Sequence, residues 1–141
     1  MIYTKSTRKA MRIAYDAHHS QLDKSGVPYV YHPIHLAEQM QTEDECIVAL
    51  LHDVVEDTEI TFEELEKEFS DIVIQALKLL THDASVDYMD YVRNLKDNPI
   101  ARKVKLADLY HNSDETRLNE ILLQDRLRYK KYSEAIKILT E

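Results

Sequence analysis

Apolar positions along this chain recur at the spacing of helices, and the strict alternation of a half-buried strand is absent. Ala10, Ile13, Ala14 and Ala17 fall at i, i+3, i+4 and i+7, one face of a helix predicted from Thr4 to Gln21. A loop over Gly26–Pro33 then breaks the pattern, and a short helix, IHLAEQM, is expected after Pro33. Thr42 with Glu45 three residues on reads as a capping box opening the helix ECIVALLHDVVED. Thr61 with Glu64 repeats the signal ahead of FEELEKEF, and Ser70 starts DIVIQALKLL. DASVD is a turn before the short helix YMDYVRNLK. Asn98–Pro99 supplies a cap and a first-turn proline for the long helix IARKVKLADLYHNSDET, and a last helix is predicted from about Asn119 to Leu139. The expectation is an all-α fold, one compact helical bundle over residues 1–141.

Two of these helices carry polar groups where their pattern is apolar. Five apolar residues, Ile47–Leu51, run into His52–Asp53, and Val54–Val55 follow. A helix apolar nearly all round is buried, and a histidine and a carboxylate there cost several kcal/mol unless paired or bound to a metal. Glu56 and Asp57 each lie one turn further on. In VKLADLYHN, Asp108 intrudes on an apolar face, with Lys105 one turn before it and Asn112 one turn after. His32 comes from the loop that holds the only glycine and two of the three prolines. His32, His52, Asp53 and Asp108 make a mixed nitrogen and carboxylate set that suits Mn²⁺, Fe²⁺ or Zn²⁺ with positions left for water or substrate. Neighbouring residues on a helix diverge by about 100°, so His52 and Asp53 reach one ion over their shared edge.

Charge and composition narrow the classes further. Twenty-six acidic against 18 basic residues give a formal charge of −8, without the basic footprint of a nucleic-acid binder. No apolar run approaches the roughly 18 residues of a membrane helix. Cys46 is the only cysteine and forms no internal disulfide, so a soluble, cytoplasmic protein is expected. The oligomeric state is left open by the sequence.

AHHSQLDKSGVPYVYHP, ALLHDVVEDT and VKLADLYHN, with FSDIV and LLTHD between them, resemble the HD-domain metal-dependent phosphohydrolases, and in particular the hydrolase domain of the RelA/SpoT-type alarmone enzymes. The resemblance runs from about Ala14 to Leu118. It implies Mn²⁺ held by His32, His52, Asp53 and Asp108, and Glu56 and Asp57 as the acidic pair that activates water. It places Lys24 and Asn112 near the nucleotide and its phosphates; Ser25 beside Lys24, Tyr29 as a stacking group and Lys105 facing the site complete the expected substrate contacts. The implied reaction removes pyrophosphate from the 3′ position of (p)ppGpp, leaving GDP or GTP, in a stand-alone domain without a synthetase. One departure stands out: Asp23 occupies a position where the family carries a basic residue. Another nucleotide or phosphoester as substrate, or a non-catalytic nucleotide- or metal-binding module, are the alternatives.

Overall fold

The computed structural model describes residues 1–141, and its elements follow from local caps and one long apolar segment. Nine α-helices appear: α1 (Lys5–Ala17), α2 (Tyr31–Glu38), α3 (Glu43–Leu51), α4 (Val54–Asp57), α5 (Phe62–Glu66), α6 (Asp71–Leu80), α7 (Tyr88–Leu95), α8 (Pro99–Asn112) and α9 (Leu123–Thr140). A 3₁₀ turn, Glu115–Arg117, links the last two. Thr61 and Glu64 form the reciprocal capping box, Ser70 caps α6 through Val73 N, and Asn98 caps α8 ahead of Pro99. Thr42 caps α3 through Glu45 N, but Glu45 accepts from Gln41 N and pairs with Lys103, so only half of that expected box forms.

Helix α3 is the axis of the bundle. Every residue from Cys46 to Leu51 is at most 2% exposed, because α1, α2, α6 and α8 surround it. Burying one leucine in such a setting contributes about 1.5–3 kcal/mol. No helix is long and apolar enough to cross a membrane.

Several boundaries differ from expectation, and two of the differences shape the site. The helix expected to run unbroken through ECIVALLHDVVED stops at Leu51 and resumes at Val54. A continuing helix would offer the Ala49 carbonyl to the amide of Asp53; that carbonyl accepts from His52 Nδ1 instead, at 2.7 Å. His32 lies in the first turn of α2, not in a loop, since Pro33 falls where a helix has no amide partner to lose. The first helix ends at Ala17, and the long helix expected to reach Thr116 ends at Asn112.

The segment before α2 is a pinned loop. Asp23 N donates to Val27 O (2.8 Å) and Tyr29 N to Gln21 O (2.9 Å). The Asp23 carboxylate accepts from the amides of Ser25 (2.8 Å) and Val27 (3.0 Å). Gly26 takes φ +82°, the left-handed region that a side chain resists.

Candidate metal centre

The end of α3, the start of α2 and the middle of α8 meet at one point of the core. His52 and His32 are each 3% exposed and Asp108 6%. Donor atoms of His32, His52 and Asp53 lie within 4.8 Å of one another. Asp108 Oδ1 is 2.9 Å from His32 Nε2 and 3.5 Å from His52 Nε2, so all four expected ligands come together.

The tautomer of His52 tests whether a cation fits. A carbonyl can only accept, so Nδ1 carries the hydrogen toward Ala49 and Nε2 of the neutral ring carries a lone pair. That nitrogen is buried without a well-directed hydrogen bond, 3.0 Å from Asp53 Oδ2. A lone pair facing two carboxylates is repulsive unless a positive charge sits between them. Without a metal a proton takes that place: burial alone would lower the His52 pKa, yet the Asp53 charge and Asp108 raise it well above 6.5. A divalent cation satisfies the same geometry, with two nitrogens and two carboxylates as donors.

The carboxylates are held from behind. Tyr29 donates its hydroxyl to Asp53 Oδ2. Burial pushes the Asp53 pKa up, but His52 holds it down at about 2. Asp108 accepts from Asn112 Nδ2 on Oδ1 (3.0 Å) and from Lys105 on Oδ2 (3.0 Å). Burial opposes its ionisation too, and the Lys105 charge with the two histidines keeps its pKa well below the usual range. The Lys105 ammonium in turn lies over the rings of Tyr91 and Tyr88, at 5.3 and 5.7 Å.

Three hollows flank the cluster. A narrow cleft of about 80 Å³ is lined by His52, Asp53, Glu56, His82, Tyr91 and Lys105. Glu56 is exposed there and accepts from His82 N at 2.7 Å. Asp57, the last residue of α4, is not among the residues lining that cleft; desolvation and the charges of Asp53 and Glu56 push its pKa up to about 6. A second cavity, of about 290 Å³, opens between the loop and α9, against Lys24, Ser25, Tyr29, Asn112, Arg117 and Arg128. A third, of about 660 Å³, lies along α2 against His32, His35 and His111.

Some expected contacts are placed differently. Lys24 is not free, because its ammonium pairs with the buried Asp125 at 3.3 Å. The Tyr29 ring packs against His18 and His32, at 4.9 and 5.6 Å, with its hydroxyl committed to Asp53. Ser25 Oγ donates to Arg117 O at 2.7 Å. His18, expected on a helix surface, is 1% exposed and bonds Gln21, whose amide holds Asp57 O. A signal for this was present, since His18 continues the Ala10–Ala14 stripe one turn on. Arg117, Asp125 and Arg128 were not singled out, and no periodicity marks them.

Helices supplying a His, a His-Asp doublet and a distant Asp to one buried centre define a class, and residues 10–112 match the HD domain; the chain belongs to the HD-domain family. Among its relatives, a guanosine-3′,5′-bis(diphosphate) 3′-pyrophosphohydrolase, MESH1, of Danio rerio is 35% identical over 117 residues, 74% of this chain and 65% of that protein. The putative chloroplastic GTP diphosphokinase RSH1 of Arabidopsis thaliana is 34% identical over 129 residues, 85% of this chain but 14% of that protein. The bifunctional (p)ppGpp synthase/hydrolase SpoT of Escherichia coli is 32% identical over 123 residues, 77% of this chain and 18% of that protein. A solved structure described as a metazoan ortholog of SpoT that hydrolyzes ppGpp superposes with a TM-score of 0.80 at 26% identity, covering 99% of this chain and 88% of that one.

Proposed function

We propose that this chain is a cytoplasmic, metal-dependent phosphohydrolase that removes pyrophosphate from the 3′ position of (p)ppGpp, with His32, His52, Asp53 and Asp108 holding Mn²⁺. The observation that carries the reading is the buried His52 Nε2 lone pair aimed at two carboxylates. Family membership and the fold shared with a ppGpp-hydrolysing relative support the substrate.

When bound, the cation offsets negative charge on the phosphoryl oxygens and makes attack by water feasible near neutral pH. The remaining work falls to side chains. Water adds to the phosphorus next to the 3′ oxygen, the bond to that oxygen breaks, and the 3′ oxygen regains a proton as the nucleotide leaves. Glu56, exposed in the cleft beside His52 and Asp53, takes the proton of the attacking water. The His82 amide, which donates to it, fixes where that carboxylate points. Asp57 orients Glu56 or the water. Lys24, Ser25, Tyr29 and Asn112 form the nucleotide side. Lys105, tied to Asp108, serves the reacting phosphate from the cleft.

One observation favours a second reading, a different nucleotide. The three cations of the 290 Å³ cavity, Lys24, Arg117 and Arg128, are matched by three carboxylates, Asp23, Asp114 and Asp125. The test is a comparison of substrates with the Mn²⁺-loaded protein. Release of GDP and pyrophosphate from ppGpp, with no reaction of nucleotides lacking a 3′ phosphate, supports the proposal. Preference for a nucleotide without one contradicts it.

A further inference from the structure

Beside the four proposed ligands stands a residue that none of the foregoing uses. His111 Nδ1 lies 2.7 Å from His32 Nδ1. The two rings are inclined by only 4°, and 2.7 Å is too short for contact between ring faces, so they meet edge to edge in a common plane. In that arrangement the N–H of one ring runs along the lone pair of the other. His111 is itself fixed: the His35 ring stacks on it at 4.1 Å, and Arg117 donates to its carbonyl at 2.8 Å.

The direction of the bond follows from the other end of His32. Nε2 is the nitrogen that faces Asp108 and the centre, so a ring that ligates through it keeps its hydrogen on Nδ1. His111 must then accept at Nδ1. We infer that His111 is the positioning residue of the metal centre: by accepting the His32 Nδ1–H it fixes the tautomer and plane of that ligand. The inference rests on the proposed metal site. Ligand histidines are ordinarily oriented by a carboxylate or a backbone carbonyl. Here the acceptor is a neutral ring, so orientation is achieved without adding a third negative charge to Asp53 and Asp108.

The test is Mn²⁺ affinity, read from the EPR signal of free ion in titrations of the wild type, His111→Phe and His111→Asn, with His52→Ala as the control that removes a ligand. Phenylalanine keeps a flat ring without an acceptor; asparagine keeps a neutral acceptor oxygen. The expected result is a loss of about 10- to 100-fold in affinity for His111→Phe and recovery of most of it by His111→Asn. His111→Ala replaces the phenylalanine variant if thermal unfolding shows that the latter is not folded. In the diamagnetic Zn²⁺ form, a slowly exchanging His32 Nδ1–H resonance is expected in the wild type and absent from His111→Phe. Wild-type affinity in a folded His111→Phe, or equal weakness of the asparagine and phenylalanine variants, overturns the inference. If the wild type binds Mn²⁺ no better than His52→Ala, the metal site fails and the inference with it.

Discussion

The two acidic parts of the proposed centre are built in opposite ways. Asp53 and Asp108 are wired into the core, each with a tyrosine, lysine or asparagine behind it. Glu56 and Asp57 sit on an exposed turn just past the break after α3, where the His82 amide donates to the Glu56 carboxylate and the Gln21 side-chain amide to the Asp57 carbonyl. In the proposed centre, ion binding and water activation would therefore be separable. A group that must hold charge in the dark needs several partners, and changing it disturbs the bundle. A group that exchanges protons with water needs a wet edge, and changing it leaves the bundle alone.

Asp108→Ala is the largest expected disturbance. It strands the buried Lys105 ammonium and removes a proposed ligand, so stability should fall by about 3–5 kcal/mol and Mn²⁺ should be lost. Denaturant unfolding and metal analysis check both; a stable variant that still binds metal would dissolve the distinction between the two regions. Asp23→Arg comes next. The sequence suggests that a basic residue there would improve ppGpp turnover, but Asp23 accepts the Ser25 and Val27 amides. The variant should therefore lose about 1 kcal/mol and raise KM, whereas Asp23→Asn, which keeps an acceptor, should change little. Steady-state kinetics of the pair decide this.

Asp57 gives the smallest effect, visible only through pH. Its folded pKa, about 6, lies above the ordinary 3.8, so the folded state disfavours the carboxylate. Any stability tied to its protonated form is complete below about pH 4 and lost as pH rises through about 6. Asp57→Asn should thus raise the Tm of the metal-free protein at pH 7.5 and leave it unchanged at pH 3.5. Equal shifts at both values would remove the electrostatic explanation.

What the sequence made legible was local. The caps at Thr61, Ser70 and Asn98 act within three residues, and the pattern of Ile47–Leu51 announces burial by itself. The break at His52 was hidden because it depends on which way one ring turns toward the Ala49 carbonyl. The pairing of Lys24 with Asp125 spans 101 residues and leaves no trace in periodicity. Donor types were readable from intrusions on apolar faces; that the Tyr29 hydroxyl stands behind Asp53 required the packed structure.

The most direct measurement takes the wild type and Glu56→Gln, determines Mn²⁺ per chain, and follows GDP release from ppGpp in the same samples. One ion per chain is expected in both, with turnover reduced about 10²- to 10⁴-fold in the variant and abolished in the wild type by chelator. Full turnover by the variant, or GDP release that survives removal of the metal, would contradict the proposed function.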